Sequence, residues 1–565
     1  MSRAASQRYL STRGGSYDLG FEDVVLRGLA SDGGLFMPEE IPQLPEDWRS
    51  AWQHHSFNEL AYEILSRYIS PDEIPAADLK DIISRSYSTF RAPDVTPLIA
   101  LDEEKKLYLL ELFGGPTYAF KDVALQFLGN LFEYFLVRRN QQKPIDERHR
   151  LTVVGATSGD TGSAAIYGLR GKKDVSVFIL HPKNKVSPIQ EAQMTTVLDA
   201  NVHNLAVEGS FDDCQDIVKA LFADPEIKRT KNLGAVNSIN WARILAQITY
   251  YFHAYFSLQK SAAFQSEQTP KIRFVVPTGN FGDVLAGWFA KRMGLPIERL
   301  VVATNANDIL DRFWKTGRYE KQPVRGAEAQ GGFTKDGVEA HADGVAETLS
   351  PAMDILVSSN FERLLWHLAY TTSSTGSSSV SARREDAGKK VRSWLADLKS
   401  RGGFAVDPAM LDAARADFES ERVSDEETVK TIAETYSRPL TIPYTSSTRG
   451  TSIGGAYILD PHTAVGIAAA QRSIIRAPPP GTYHIALATA HPAKFANAVD
   501  LALKEQPGYS FSAVLPEDFI GLEDRERRVI GVSKGDAGEK GLIGAVRKII
   551  NDEVEKEMQD IKARS

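Results

Sequence analysis

Short β-branched runs followed by helical stretches recur between residues 107 and 310, and this alternation most constrains the fold of the chain. Four of these runs precede a segment with helical periodicity, at Leu151–Gly155, Val175–Leu180, Ile272–Pro277 and Leu300–Ala303. Strands that alternate with helices form βαβ units, which build a mainly parallel sheet covered by helices. The sequence therefore predicts an α/β fold, to which a run at His484–Ala490 adds a further strand.

The segments outside this alternation predict further units. Residues 1–95 are typical of a helical domain interrupted by turns. Helices are predicted near 57–69, 76–90, 355–369, 384–400 and 408–436. Stretches with little apolar periodicity near 321–346, 371–383 and 438–455 are predicted to be surface insertions. We therefore predict a helical leading domain (1–95), a catalytic α/β region (96–510) and a charged helical tail (511–565).

The composition excludes several classes of protein. A net charge of −7 disfavours a nucleic-acid partner, since duplex binders carry a basic excess or a basic face. The sequence contains no run of about 18 apolar residues that could span a bilayer. Cys214 is the single cysteine, which excludes an internal disulfide, fits a reducing compartment and leaves no thiolate cluster for zinc. We predict neither a membrane partner nor a metal site.

The amino terminus is compatible with a transit peptide or with a cytosolic start. Arg3, Arg8 and Arg13 occur among several serines before the first acidic residue, Asp18. An apolar secretory segment does not follow them. We predict a cytoplasmic protein, and the sequence leaves the oligomeric state open, a monomer included.

Lys121 occurs in surroundings that should exclude water. Gly114, Gly115 and Pro116 break the chain before it, and the helix predicted after it is apolar on nearly every side. Loss of hydration lowers the pKa of an ammonium group, and the neutral amine can then form a Schiff base. The alternative is a lysine whose head group reaches the surface at a helix start.

Two glycine-containing turns each follow a predicted strand and open a predicted helix, at 155–162 and 277–283. Free N–H groups at a helix start can bind a carboxylate or a phosphate. Neither turn has the Walker or the dinucleotide-binding pattern, which disfavours those modes. The alternative is a tight turn in which Asp160 or Asp283 caps the helix. Two anion sites beside a desolvated lysine would suit a cofactor with an aldehyde and a phosphate.

Five motifs together strongly resemble the threonine synthase family, in particular its fungal branch. They are Phe120-Lys121-Asp122, Gly155 to Gly162, Asn237 to Arg243, Gly279 to Asp283 and Thr489 to Phe495. The resemblance covers nearly the whole chain, and the opening Tyr9 to Gly14 is similar to the family's mature start, which favours the cytosolic interpretation. It implies a fold-type II, tryptophan synthase β-like architecture with two α/β lobes around pyridoxal 5′-phosphate.

The resemblance also implies a role for each motif. Lys121 would carry pyridoxal 5′-phosphate as a Schiff base and then move protons at the substrate carbons. The cofactor phosphate would bind the backbone of Gly279, Asn280, Phe281, Gly282 and Asp283, and Thr489 would face the pyridine nitrogen. The substrate carboxylate would bind at Ser158, Gly159, Asp160 and Thr161, near the cofactor's phenolic oxygen. Related enzymes often have asparagine where Asp160 stands, which leaves its protonation state open.

The implied reaction converts O-phospho-L-homoserine and water into L-threonine and phosphate, the last step of threonine biosynthesis. This β,γ-elimination and replacement removes protons at Cα and Cβ, releases the γ-phosphate and adds water at Cβ. Arg243 is our candidate to bind the departing phosphate, with Asn237, Ser238 and Asn240, because guanidinium groups match phosphate oxygens. A structural ion pair is the alternative for Arg243.

Two other functions are weighed against this one. A serine or threonine dehydratase would keep the cofactor and the fold but change the substrate, and a catalytically silent member would only bind pyridoxal phosphate or a phosphorylated ligand. His491 and Lys494 follow Thr489 and could assist proton transfer. We interpret them as loop-shaping residues, because Pro492 fixes the backbone there.

Overall fold

The computed structural model describes residues 7–234, 236–321, 345–372, 379–438, 440, 451–453, 455–476, 478–533 and 541–564. Most of the predicted insertions at 321–346 and 438–455, and the centre of the one at 371–383, lie outside these residues. Within the described ranges, every helix is too short or too polar to cross a lipid bilayer.

The leading unit is mainly helical, as predicted, but it also contains a small antiparallel sheet. Its elements are β1 (Tyr9–Ser11), α1 (Phe21–Arg27), β2 (Phe36–Pro38), α2 (Trp48–Trp52), α3 (Phe57–Leu65) and α4 (Ala76–Tyr87). Strands β1 and β2 pair with each other. Ser56 and Glu59 form a capping box that fixes the start of α3. The unit packs on the main core, since α3 contacts the long helix at residues 241–259.

The middle of the chain follows the predicted alternation of strand and helix. Residues 98–234 form β3 (Leu98–Asp102), β4 (Leu107–Glu111), α5 (Lys121–Arg139), β5 (Leu151–Ala156), α6 (Asp160–Leu169), β6 (Val175–Pro182), α7 (Pro188–Thr195), β7 (Val202–Val207), α8 (Phe211–Ala223), α9 (Pro225–Lys231) and β8 (Leu233–Gly234). Residues 241–320 form α10 (Trp241–Gln259), α11 (Ala262–Ser266), β9 (Lys271–Pro277), α12 (Gly282–Met293), β10 (Ile297–Thr304), α13 (Ile309–Thr316) and β11 (Arg318–Glu320).

The last third of the chain is mostly helical. Its elements up to residue 436 are α14 (Phe361–Thr372), α15 (Val380–Arg401), β12 (Gly403–Ala405), α16 (Pro408–Asp417), β13 (Phe418–Arg422) and α17 (Asp425–Tyr436). They are followed by β14 (Ser452–Ile453), β15 (Ala456–Tyr457), α18 (Pro461–Ile475), β16 (Thr482–Ala488), α19 (Ala496–Leu503), α20 (Phe511–Val514), β17 (Ile530–Val532) and α21 (Gly541–Arg564).

Two sheets confirm the predicted two-lobed α/β fold. The larger sheet has the strand order β13-β10-β9-β16-β4-β3, and all of its pairs are parallel except β3 with β4. The smaller sheet has the order β17-β7-β6-β5-β8 and is wholly parallel. Because ligands of open parallel sheets bind beyond the carboxyl ends of the strands, these ends are where a site is expected.

The helical prediction for residues 408–436 is confirmed at both ends but wrong in the middle. Strand β13 separates α16 from α17 there and extends the larger sheet beside β10. Its sequence has few apolar residues, so hydrophobic periodicity does not reveal it. Tertiary ion pairs stabilise its acidic side chains instead: Arg273 lies 3.0 Å from Glu419, and Arg472 lies 3.1 Å from Glu421.

The tail ends in the predicted charged helix, but it also contributes a strand to the smaller lobe. Strand β17 pairs with β7 in parallel, and α21 packs against α8. Glu557 on α21 accepts a hydrogen bond from Ser176 at 2.5 Å and lies 2.6 Å from His203. The tail is therefore docked on the smaller lobe, while the boundaries at 95 and 510 stay predictions.

Helices α5 and α6 approach each other closely enough to bring their first residues together. A Cβ atom on Gly129 of α5 would overlap the carbonyl oxygen of Gly168 on α6. A Cβ on Gly168 would lie 2.6 Å from the carbonyl oxygen of Leu125. Glycine at both positions therefore permits backbone contact, and this contact sets the distance between Lys121 and Asp160.

We expect Gly129→Ala to lower the free energy of unfolding by about 1–3 kcal/mol, because the added methyl group forces the two helices apart. Denaturant unfolding of the purified variant measures this change. Gly531→Ala is the matched control, since a Cβ there meets no atom within 4 Å. Equal stability of the two variants would show that α5 and α6 can separate at no cost.

Candidate active site

Lys121 is the first residue of α5, and its side chain lies inside the protein. The residue is 8% exposed, because the helix that follows is buried on nearly all sides. Its Nζ donates a hydrogen bond to Asp160 Oδ2 at 2.8 Å. Burial lowers the pKa of Lys121 below its ordinary value, although Asp160 acts in the opposite direction. The prediction of a desolvated lysine is confirmed, and the surface alternative is excluded.

Asp160 is the first residue of α6 and binds two lysines. Its Oδ2 accepts from Lys121, and its Oδ1 lies 2.5 Å from Nζ of Lys494. Burial alone would raise the pKa of Asp160, but the two ammonium groups more than offset this effect and hold the pKa below its usual range. Asp160 is therefore a carboxylate at neutral pH. Gly159, not Asp160, occupies the N-cap position of α6.

Three adjacent strands of the larger sheet present the predicted cofactor-binding groups in order. The 279–283 turn follows β9, Thr489 follows β16 and Lys121 follows β4, and these strands are neighbours in parallel register. Neighbouring strands lie about 4.8 Å apart, so three strands span about 10 Å. The groups therefore lie along one edge of the sheet, within the dimensions of a single small molecule.

Backbone hydrogen bonds fix Thr489 beside Lys121, although the two are far apart in sequence. The N–H of Phe120 donates to the carbonyl oxygen of Thr489 at 2.8 Å, and Ala119 forms a β-bridge with Ala490. The N–H of Thr489 donates to the hydroxyl of Thr463 at 3.2 Å. Thr489 is 5% exposed, which places its hydroxyl in the same buried region as the lysine.

The 279–283 turn leaves N–H groups unpaired at the start of α12 among the described residues. Phe281 takes the left-handed conformation, with φ of 62°, and precedes the first turn of α12. The first N–H groups of a helix have no partner within that helix, and Leu285 is the first residue here to donate back, to Phe281 at 3.2 Å. The N–H groups of Gly282 and Asp283 are therefore available to an anion at the positive end of the helix.

Residues 358–360 donate hydrogen bonds to the carbonyl oxygens of the same turn. Ser358 Oγ donates to the carbonyl oxygen of Gly279 at 2.7 Å. The backbone N–H and the side-chain Nδ2 of Asn360 both donate to the carbonyl oxygen of Asn280 at 3.0 Å. Because these contacts fix the carbonyl groups on the inner side, the turn presents N–H groups to the site.

Asn360→Ala should weaken binding of the cofactor phosphate about tenfold, since a buried hydrogen bond whose partner is lost costs about 1–3 kcal/mol. Titration of the apoprotein with pyridoxal 5′-phosphate, followed by visible absorbance, measures this change. Ser359→Ala is the control, because this exposed residue makes only a 3.3 Å contact with the side chain of Asn280. Equal affinities of the two variants for pyridoxal 5′-phosphate would show that Asn360 does not stabilise the 279–283 turn.

Asp283 faces the protein interior rather than the turn's open side. Its carboxylate accepts hydrogen bonds from the hydroxyl groups of Tyr250 and, at 3.0 Å, Tyr251, both on α10. Burial raises the pKa of Asp283 to about 6. The predicted contribution of Asp283 to anion binding is therefore that of its N–H group, and its side chain anchors α12 to α10.

The turn at 155–162 has a similar design on the smaller lobe. Thr157 Oγ1 accepts from the N–H groups of Gly159 and Gly162 at 2.9 and 2.8 Å. Gly159 has φ of 139°, and a Cβ atom there would overlap the side chain of Gln190. Ser158 is exposed at the tip and Thr161 is half-buried. Ser158, Gly159, Asp160 and Thr161 therefore form the start of α6, and Asp160 joins this turn to Lys121 and Lys494.

Arg243, on the first turn of α10, is a buried cation. It is 4% exposed, and its Nη1 donates to the carbonyl oxygen of Val236 at 2.9 Å. Within the described residues its Nε has no hydrogen-bond partner, and no carboxylate forms an ion pair with it. Burial lowers the pKa of Arg243 to about 10, and its charge in turn lowers the pKa of Lys121. The described residues therefore do not support a structural ion pair for Arg243, and its charge acts on Lys121.

The other members of the predicted phosphate segment differ in their exposure. Asn237 is exposed, Ser238 is half-buried and Asn240 is buried. Asn240 caps α10 by accepting from the N–H of Ala242 at 3.1 Å, and it donates to the carbonyl oxygen of Val25 at 2.9 Å. Asn240 therefore joins the leading unit to α10, whereas Asn237 and Ser238 keep side chains that can reach a ligand.

The sequence does not single out two residues of the site, Asn360 and Arg363, and it suggests a different role for a third, Lys494. Lys494 was interpreted as loop-shaping, yet its ammonium binds Asp160. Arg363 is fully buried and donates to the carbonyl oxygens of Phe36 and Ile239, at 2.8 and 2.5 Å, as well as to Asn360. Asn360 and Arg363 occur in a segment predicted only as helix. A buried arginine within an apolar helix, in Phe-Glu-Arg-Leu-Leu-Trp, was the signal that could have revealed them.

The residues present fit pyridoxal 5′-phosphate. A buried amine of lowered pKa suits the aldehyde, a helix start with free N–H groups suits the phosphate, and a buried hydroxyl lies between them on the middle strand. These groups come from the ends of three adjacent strands, within the dimensions of one small planar ring and its substituents. Among the described residues, no group of three metal-ligating side chains is found.

Family models match three consecutive parts of the chain. Residues 8–87 match the threonine synthase N terminus, residues 90–363 match the pyridoxal-phosphate dependent enzyme family, and residues 463–542 match the threonine synthase C-terminal family. The last match starts in α18 and runs through β17. It therefore includes β16 and Thr489, the residue directly after that strand.

Curated relatives and solved structures agree with the family models. The chain is 54% identical to threonine synthase of Schizosaccharomyces pombe, over 92% of this chain and 94% of the relative. It is 52% identical to threonine synthase of Saccharomyces cerevisiae, over 94% and 96% of the two chains. The crystal structure of the yeast threonine synthase superposes with a TM-score of 0.85 at 51% identity, covering 98% and 100% of the two chains. A PLP-bound threonine synthase from Brucella melitensis gives a TM-score of 0.79 at 39% identity, covering 97% and 99%.

Proposed function

The chain belongs to the threonine synthase family, and from this premise we propose that it forms L-threonine and phosphate from O-phospho-L-homoserine and water. Its cofactor is pyridoxal 5′-phosphate, and it is a lyase of amino-acid biosynthesis. The observation that carries the assignment of its residues is the placement of Lys121, Thr489 and the 279–283 turn at the ends of three adjacent strands.

Lys121 is the residue that we assign to chemistry. Pyridoxal phosphate, when bound, withdraws electrons from the substrate and makes its carbon-bound hydrogens acidic. The amine of Lys121 would hold the cofactor covalently. Once the substrate amine has displaced it, it would take a proton from Cα, release that proton, and only then take one from Cβ. Because its pKa is lowered by burial, a fraction of the amine is uncharged and can accept these protons.

The turn at 155–162 is assigned to the substrate carboxylate through the hydroxyl groups of Ser158 and Thr161, and Gly159 is assigned to the shape of the turn, because its N–H donates to Thr157 Oγ1. The side chain of Asp160 is itself an anion and would repel a second carboxylate at short range. We therefore propose that Asp160 orients the amine of Lys121, with which it shares a 2.8 Å hydrogen bond. Its backbone N–H remains at the helix start, where it favours an anion.

Arg243 is assigned to the phosphate that leaves the substrate. It is a buried guanidinium without an acidic partner in the described part of the chain, and a phosphate dianion would supply the missing charge. Asn237 and Ser238 lie within six residues of it and supply further polar contacts. Asn240 is assigned a positioning role, because its side chain caps α10 and binds the leading unit.

Purified protein with pyridoxal 5′-phosphate tests this function directly. Inorganic phosphate and threonine should appear from O-phosphohomoserine in equal amounts, and threonine should not release ammonia. Ammonia from threonine without phosphate from phosphohomoserine would favour a dehydratase. The absence of both products, with the cofactor bound, would favour a catalytically silent member. The cytoplasmic location and the oligomeric state stay predictions.

A further inference from the structure

Asp160 is shared by two buried lysines, and the second one has no assigned role. Lys494 lies in the segment after Thr489, and its side chain is 0% exposed. Its Nζ lies 2.5 Å from Asp160 Oδ1 and donates to the carbonyl oxygen of Thr117 at 2.8 Å. Lys121 occupies the other carboxylate oxygen at 2.8 Å. The three groups form a buried chain, Lys494–Asp160–Lys121.

The charges of this chain do not balance when both lysines are protonated. Two ammonium groups and the guanidinium group of Arg243 then face only two carboxylates, those of Asp160 and Asp122. A net buried charge is costly, so one amine of the pair is driven to lose its proton. Lys494 pairs with one oxygen of the carboxylate and also donates to a backbone carbonyl, whereas among the described residues the hydrogen bond of Lys121 to the carboxylate is the only one that its Nζ makes. Lys121 is therefore the amine that becomes neutral.

A role limited to shaping the loop does not account for a charged residue at this position. The carbonyl oxygen of Thr117 also accepts from Gln193 Nε2 at 3.2 Å, so it does not depend on Lys494. The N–H and hydroxyl groups of Thr117 donate to Asp122, each at 2.8 Å, and these bonds already fix the loop. The contact that only a cation can make is the one with Asp160.

We propose that Lys494 is a positioning residue of the reaction, whose ammonium group pairs with the carboxylate of Asp160 and, through its charge, keeps the Lys121 nitrogen uncharged when it must accept a proton. The proposal rests on the assignment of Lys121 as the cofactor-binding lysine. Lys494 would act through Asp160 and through its own field, without contact with the substrate carbons.

The groups that face Lys121 determine the sign of the expected effect. Asp160 favours the protonated amine, whereas Lys494 and Arg243 disfavour it. Asp122 lies near Lys494 and Asp160, and burial raises its pKa to about 6, so it is ionised throughout the alkaline range. Removing the charge of Lys494 removes a cation that repels the Lys121 ammonium, so the attraction of Asp160 for that ammonium is no longer offset by Lys494. Lys121 should then hold its proton to higher pH.

The rate at which apoprotein attaches pyridoxal 5′-phosphate tests this sign, because only the uncharged amine attacks the aldehyde. Visible absorbance after mixing gives this rate as a function of pH. In K494M the midpoint of the rate should rise by about 1–2 pH units, since one charge near the amine has been removed. At pH 7 attachment should be about 10- to 100-fold slower than in the wild type and should recover at higher pH.

Two further variants and a control keep the test decisive. K494R retains the charge and should keep the wild-type midpoint. K494Q retains a donor for Thr117 and replaces K494M where the methionine variant does not fold. Lys106→Met removes a lysine paired at 2.5 Å with Glu267, at the opposite end of β4, and should leave the midpoint unchanged. In turnover, the kcat profile of K494Q should move to higher pH with KM unchanged.

Midpoints of folded K494M or K494Q that coincide with the wild type would overturn the proposal and leave Lys494 as a loop-shaping residue. A wild-type protein that attaches no cofactor at Lys121 would instead contradict the assignment of Lys121, which is a different outcome. The two failures are thus separated by the wild-type measurement alone.

Discussion

Replacing Lys121 with alanine should reduce threonine formation by at least about 1,000-fold, because the residue both holds the cofactor and transfers protons. The remaining protein should still bind pyridoxal 5′-phosphate at the 279–283 turn, without the covalent bond. Phosphate release from O-phosphohomoserine measures the rate. Visible absorbance measures the loss of the covalent complex.

Lys105→Ala is a matched control for this variant. Lys105 forms an exposed ion pair with Asp102 at 2.8 Å, and its removal should leave turnover within about twofold, as expected for a surface pair. Retention of wild-type turnover by Lys121→Ala would refute the assignment of the amine. Loss of turnover together with a loss of folded structure would direct the test to Lys121→Arg.

Arg243→Ala should raise KM for O-phosphohomoserine by about 10- to 100-fold, because a hydrogen-bonded charge pair contributes about 1.5–3 kcal/mol. Cofactor absorbance should change little, since the cofactor phosphate is assigned to the 279–283 turn. The steady-state rate over a range of substrate concentrations, with absorbance of the same sample, separates the two effects. Arg243→Lys should recover part of the affinity, because a point charge replaces the bidentate group.

Arg415→Ala controls for the loss of an arginine that donates to carbonyl groups. Arg415 donates to the backbone of Trp314 and Lys315, at 2.8 and 2.9 Å, and lies on α16. The KM of the Arg415→Ala variant for O-phosphohomoserine should equal that of the wild type. An unchanged KM in Arg243→Ala would remove this residue from the substrate site and leave Asn237 and Ser238 as the remaining candidates.

The leading unit contacts the same segment that carries Arg243. Asn240 donates to the carbonyl oxygen of Val25, and Arg363 donates to that of Phe36. Glu362 accepts from Thr12 at 2.5 Å and binds Arg13 through both carboxylate oxygens at 3.0 Å. These polar contacts attach both the 237–243 segment and the 358–363 segment to the leading unit. The leading unit therefore contributes to the geometry of the site.

Local sequence was sufficient to predict the strands β5, β6, β9, β10 and β16 and the burial of the lysine. The runs at β5, β6, β9 and β10 are short, rich in β-branched residues and followed by helical periodicity, and the apolar helix after Lys121 could only be buried. The two anion-binding turns were recognised because a strand, a glycine turn and a helix follow one another within a dozen residues.

Contacts between distant residues could not be predicted in the same way. The ion pair of Lys494 with Asp160 joins residues more than 300 positions apart. Lys494 follows β16 of the larger sheet, whereas Asp160 follows β5 of the smaller sheet, so only the packing of the two lobes brings them together. Strand β13 has an acidic sequence that ion pairs stabilise from other elements. In both cases a charged residue is buried because its partner is supplied by the tertiary fold, and the partner is not visible locally.

The central claim is that the amine of Lys121 binds the cofactor covalently between the two anion-binding turns. Reduction of the holoenzyme with borohydride, followed by peptide mapping, tests it most directly. The predicted result is a single pyridoxyl label on Lys121 and complete loss of threonine formation. A label on another lysine, or a protein that remains active and unlabelled after reduction, would contradict the account.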